Sequence, residues 1–153
     1  MSLMVEWRGN NTNLGKHKLV LIALPGVGNI GKASLEALNE INNGEEIARL
    51  HHTALPPLAT LDEDGLLSPP HLSVKSIESN TGINILTILG NSQPLEPQFQ
   101  GMMAREVKEF LKNQSVQTLI VLAGMVDVAT RKETFIVPSS SVFRIELESL
   151  GAD

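Results

Sequence analysis

The feature that most constrains this chain is an aliphatic run ending in a glycine-rich corner. Lys18-Leu-Val-Leu-Ile-Ala-Leu24 is stopped by Pro25-Gly26. A short, continuous apolar run of this kind fits a strand buried on both faces of a sheet. From Asn29 the period changes. Ile30, Ala33, Ala37, Leu38 and Ile41 recur at three- and four-residue spacing, the stripe of an amphipathic helix. Asn29 is placed to cap the helix, and Asn43-Gly44 to end it. Glu46 to His52 then reads as a second strand. Strand, turn, helix and strand make a βαβ unit with a right-handed crossover.

The middle of the chain changes character. Leu55-Pro-Pro57 and Pro69-Pro70 bracket Leu58 to Leu67, which reads as a hairpin turning at Asp64-Gly65. Leu72 to Glu78 and Ile83 to Leu89 form a strand pair around Asn80-Thr-Gly82. A helix follows Pro97, with Phe99, Met103, Val107, Phe110 and Leu111 on one face. Val116 to Ala123 reads as another buried strand and Thr134 to Val137 as a shorter one, while Val142 to Leu150 fits strand or helix equally. The expected fold class is a single α/β domain over residues 1–153. It is a three-layer sandwich with a mostly parallel sheet and one antiparallel hairpin insertion. The Met1-Ser2-Leu3 opening resembles a cloning remnant, which would leave residues 1–15 tag-derived or loosely ordered.

Composition removes several function classes. Aromatic residues make up 3% of the chain and Tyr is absent, so the core must be aliphatic. A net charge of -5 argues against nucleic-acid and anionic-membrane partners, which call for a basic face. Without cysteine there is no disulfide, thiolate metal site or cysteine nucleophile. The N-terminus has no signal-peptide pattern, and the longest apolar run, Leu119 to Val126, is too short to span a bilayer. A cytoplasmic location is expected.

The glycine corner matches two phosphate-binding patterns, each incompletely. Gly26, Gly28 and Gly31 fit G-x-G-x-x-G between a strand and a helix. The next strand, however, ends in His51-His52-Thr53, without the carboxylate that would hold a ribose. The same residues fit G-x-x-x-x-G-K with Lys32 in place. Ala33 then replaces the magnesium-binding hydroxyl, Ser34 is one residue late, and Asp127 is a poor metal partner. Three readings stay open: close helix-on-sheet packing, an anion or small ligand held without turnover, and nucleotide chemistry. The candidate cradle comprises Gly26, Gly28, Asn29, Gly31 and Lys32, with Asn91 and Gln93 on the turn after Gly90.

Other candidates carry less. His51 and His52 are adjacent on a strand and face opposite sides, so they cannot chelate one metal together. Asp62-Glu63-Asp64 lacks calcium-loop spacing and reads as a solvated turn. Ser139, Ser140 and Ser141 lack a nucleophile-elbow context. No catalytic residue, metal site or cofactor is expected. The apolar, proline-broken stretch holding Leu55, Pro56, Pro57, Leu58 and Leu61 is the candidate subunit contact.

Taken together, the segments resemble the proteasome assembly chaperone family of archaea and its bacterial relatives. The matching stretches are Leu24-Pro-Gly-Val-Gly-Asn-Ile-Gly-Lys32, the Pro-Pro loop running into Asp62-Glu-Asp-Gly65, and Gly90-Asn-Ser-Gln-Pro94. The helix after Pro97 and the strand Thr118 to Gly124 complete the series, over about residues 16 to 138. The resemblance implies a nucleoside-phosphorylase-like α/β fold, homo-oligomers, and a role in assembling or binding the proteasome core or another protein complex. It also implies that Asn91 and Gln93 lie at the same end of the sheet as the glycine turn. Family members are usually longer, so an exposed sheet edge is expected here, which oligomerisation would cover. The ending Leu150-Gly-Ala-Asp153 lacks the hydrophobic-Tyr tail by which archaeal members dock on the proteasome. The alternative classes are a small-molecule or nucleotide enzyme using the Gly26–Lys32 turn, and a purely structural subunit of a hetero-oligomer.

Overall fold

The computed structural model describes residues 2–17, 19–62, 64–78, 80–126 and 133–151. Lys18, Glu63 and Asp127, named above, lie outside the described residues. Among these residues eight strands form in chain order: β1 (Leu3–Trp7), β2 (Leu19–Ala23), β3 (Glu45–His52), β4 (Thr60–Leu61), β5 (Leu67–Ser68), β6 (Leu72–Glu78), β7 (Asn84–Gly90) and β8 (Thr118–Val121). Three α-helices accompany them: α1 (Ile30–Ile41), α2 (Pro97–Asn113) and α3 (Ser141–Ser149).

The α/β class holds, but the sheet is mixed rather than mostly parallel. Its order is β1-β3-β6-β7-β2-β8. Among the described residues the β2–β7 and β2–β8 pairs are parallel, whereas β1–β3, β3–β6 and β6–β7 are antiparallel. The connection through α1 runs from β2 to β3 and passes over β7 and β6, so the expected βαβ unit exists without adjacent strands. The reason is local. The β6–β7 hairpin, closed by a turn with Gly82 at φ 74°, inserts between them. Residues 3–7, expected to be loosely ordered, form the outer strand on β3.

The core is aliphatic, as the composition requires. Val20, Leu50, Leu72, Val74, Leu86 and Ile88 cluster with Met103, Val107 and Leu111 of α2. Thr87, between Leu86 and Ile88, points to the other face and donates to Asn39 of α1. The two helices therefore cover opposite faces of the sheet.

The expected stripe of α1 is corrected. The buried residues are Gly31, Leu35 and Asn39, while Ile30 and Ile41 are exposed. Ala33, Ala37 and Ile41 of the expected stripe are exposed and Leu38 is half-buried; the seat is taken instead by Gly31, held by a close backbone approach, by Leu35, and by Asn39 through its hydrogen bond. The cap is corrected too: Asn29 is left-handed at φ 50° and its side chain makes no cap bond. At the other end Gly44 N donates to Asn39 O at 2.8 Å past the left-handed Asn43, so the expected stop forms.

Two strand expectations change, and the choice left open at the C-terminal stretch is decided. β8 is not a buried strand, for Leu119, Ile120 and Val121 are all exposed at the sheet margin. Thr134 to Val137 joins no sheet among the described residues. Residues 141–149 are helical, started by Ser140, whose Oγ accepts from Phe143 N at 3.2 Å. In α2, Phe99 is exposed and Phe110 packs on Trp7 with ring centroids 6.3 Å apart. The small hairpin forms as expected: Asp62 Oδ1 accepts from Asp64 N and Leu66 N, and Gly65 sits at φ 74°. No helix among the described residues is long and apolar enough to cross a membrane.

Candidate functional site

The glycine corner borders a cavity of about 450 Å³ between β2, β8, α2 and the turn after β7. Its walls are mainly apolar, from Ile22, Leu24, Met103, Val107, Leu119 and Val121. Polar groups are few: Asn29, Gln93, Gln100 and Lys108. Of the seven residues expected to form a cradle, Gly26, Asn29, Gly31 and Gln93 line this cavity. Gly28 and Asn91 are exposed and do not line it.

Lys32 is turned aside, with its Nζ 2.7 Å from Glu36 Oε1, one helical turn on. An anion over the helix N-terminus would thus find Lys32 already paired. The chain leaving β8 also crowds that terminus. A Cβ added at Gly31 would run into the Leu122 carbonyl, and one at Gly124 into the Val27 carbonyl. These two glycines mark where two backbones touch, which favours the packing reading of the motif. In the sequence Gly124 marks the end of the strand run Thr118 to Gly124, and a glycine at that place is also the signal of a close backbone approach.

A polar network sits on the opposite side of β3 from α2. Glu46 Oε1 pairs with Arg49 at 2.7 Å and Arg8 at 3.6 Å, and Glu6 Oε2 lies 2.8 Å from His51 Nε2. Arg49 Nη1 donates to Ser68 Oγ at 3.3 Å, and the His51 and His71 rings lie 5.6 Å apart, tying the β4–β5 hairpin to the sheet. The hydrogen bond from His51 holds the Glu6 carboxyl below its usual range. Burial pushes the His17 imidazole down, while its Nε2 meets Ser76 Oγ at 3.0 Å.

His52 points the other way, as strand alternation requires. Its buried Nδ1 accepts from Ala54 N at 3.0 Å, and its Nε2 lies 3.5 Å from Glu106 Oε2. That carboxylate also accepts from Ser2 N and Leu3 N, pinning β1 to α2. Among the described residues no group of three or more His, Asp or Glu side chains is arranged to hold a metal ion.

The expected subunit contact is split. Leu55 is buried in the chain's own core and Pro56 is half-buried. Pro57, Leu58 and Leu61 are exposed, and Leu66 and Leu67 of the hairpin are exposed beside them.

The fold is shared with solved structures. Pyrococcus furiosus PbaA, an archaeal homolog of proteasome-assembly chaperone, matches all of this chain and 60% of its own length at 24% identity and a TM-score of 0.69. P. furiosus PbaB, an archaeal proteasome activator, matches 86% of this chain and 55% of its own length at 16% identity and a TM-score of 0.66. A Corynebacterium glutamicum protein of unknown function matches 99% of this chain and 69% of its own at 16% identity and a TM-score of 0.54. The chain thus spans about 60% of the length of PbaA. No curated protein matches it. At these identities the structures speak for the fold, whereas the sequence model of the PAC2 family matches residues 20–150, most of the chain. The chain belongs to the PAC2 family.

Proposed function

We propose that the chain is a non-enzymatic, self-associating, proteasome-assembly-chaperone-like protein that binds a partner protein complex. One observation carries this reading. Leu58, Leu61, Leu66 and Leu67 are 64–75% exposed on one excursion, and the Arg49–Ser68 hydrogen bond and the His51–His71 ring contact hold that excursion to the sheet. Neighbouring exposed leucines on an anchored hairpin suit a protein contact. The proteasome core is the first candidate partner, because PbaA is a homolog of a proteasome-assembly chaperone and PbaB a proteasome activator.

The test is co-elution with archaeal proteasome core subunits, alongside solution mass by light scattering. The expected result is a mass above the monomer and a shared peak, both reduced by Leu58→Asp. A monodisperse monomer that never co-elutes would overturn the reading.

A second reading is small-molecule or nucleotide binding in the cavity, favoured by the meeting of Gly26, Asn29, Gly31 and Gln93 there. It predicts a thermal shift with nucleotides or phosphates. A ligand at 100 times its Kd stabilises by about 2.7 kcal/mol.

A further inference from the structure

We propose that the stretch from Thr134 to Ser149 docks on the β8 edge of a second copy of this chain, Thr134–Val137 pairing there as an added strand. The proposal rests on the reading of the chain as self-associating and names the surfaces that do it.

The acceptor is a free sheet edge with a cavity beside it. Among the described residues β8 pairs with β2 alone. Leu119, Ile120 and Val121 are 40–66% exposed, and no proline or charge in β8 blunts the edge. Leu119 and Val121 face the cavity described above, whereas Ile120 alternates to the α1 face. A strand laid along β8 would put every second side chain over the cavity mouth.

The donor is in the same sequence. Thr134-Phe-Ile-Val137 has the β-branched and aromatic composition of a strand and yet pairs with no strand among the described residues, with Phe135, Ile136 and Val137 52–92% exposed. The helix after it buries none of its residues, leaving Val142 and Ile145 exposed. Among the described residues, a hollow of about 530 Å³ beside this stretch is walled by residues 136–148, with none from the sheet. An apolar arm not seated on its own body, together with an unfilled apolar edge, is the arrangement that exchange between copies satisfies. Reciprocal exchange engages two arms at once. That brings the contact toward the roughly 1,200–2,000 Å² of a stable interface, which one four-residue strand does not reach. Phe135 and Val137 would enter the neighbour's cavity, and Ile136 would lie beside its Ile120.

The chain has no cysteine, so introduced ones report cleanly. Ile120→Cys protein is mixed with Phe135→Cys, Ile136→Cys or Val137→Cys protein in turn, oxidised, and run on a non-reducing gel beside single variants and the matching double variants. Adjacent strands bring paired Cα atoms within disulfide reach. The expected result is a covalent dimer in at least one mixture and a lower solution mass for Phe135→Asp. Cross-linking only inside the double variant, with none between chains, would show the arm seated on its own body and overturn the proposal. Absence of any cross-link would overturn it equally. An oligomer by light scattering without a cross-link between chains defeats the exchange alone; a monomer defeats the self-association reading as well.

Discussion

Thr87, fully buried in β7, donates its Oγ1 hydrogen to Asn39 Oδ1 of α1 at 2.8 Å, while Asn39 Nδ2 donates to Leu35 O at 2.9 Å. This polar bridge attaches α1 to the sheet where the helix presents few large apolar side chains. Thr87→Val keeps the shape and leaves the Asn39 oxygen buried and unpaired. It should destabilise by about 1–3 kcal/mol, read as a lower midpoint in urea unfolding. An unchanged midpoint would deny the bridge any role in stability.

Two glycines in helices should respond with opposite sign. Gly31→Ala drives a methyl into the Leu122 carbonyl and should cost about 1–3 kcal/mol. Gly101 in α2 has open space where a Cβ would stand, so Gly101→Ala should stabilise by about 0.5–1 kcal/mol. Thermal melts of the two proteins decide it, and equal shifts in one direction would refute the packing role of Gly31.

Leu55 and Leu58 separate folding from association. Leu55 is 7% exposed and Leu58 65% exposed. Leu55→Ala should cost about 2–5 kcal/mol, whereas Leu58→Ala should stay within about 0.5 kcal/mol while weakening any oligomer. Denaturation curves paired with light scattering on the same samples make the comparison.

Acid should destabilise the fold in two stages. The His17 value is lowered from an ordinary 6.5 by burial, so below that pH the unfolded chain binds the proton more readily. Stability is then lost as pH falls from 6.5 toward the lower folded value. The Glu6 value is lowered from an ordinary 4.5, chiefly by His51, so its contribution is present above 4.5 and fades as pH falls further. His17→Gln should flatten the first stage and leave the second. Urea midpoints measured across both ranges would show it, and an unaltered first stage would acquit His17.

The sequence made local geometry legible and long-range pairing much less so. The strand-turn-helix at Leu19–Ile41, the Asp64-Gly65 turn, the β6–β7 pair and α2 are written in period and turn chemistry within a few residues. Strand order is not, because a strand's own residues do not say which distant strand it will meet. β8 misled because an apolar run looks alike at the centre of a sheet and at its margin. α1 misled because its seat uses Gly31 and Asn39, residues that a search for apolar stripes passes over. At the site, four of seven candidate residues line the cavity; the i,i+4 spacing of Lys32 and Glu36 carried the signal of their pairing, whereas no local pattern announces the approach of Leu122.

The insertion of β6 and β7 between β3 and β2 carries a kinetic consequence. Neither β3 nor β2 touches the other, and each must wait for a hairpin encoded later in the chain before the sheet can join. Closing those long loops is slow, whereas the short β6–β7 turn closes quickly, so this hairpin is the natural nucleus. A lesion at Asn80-Thr-Gly82 would leave the sheet in two unconnected halves during folding, each with a bare edge.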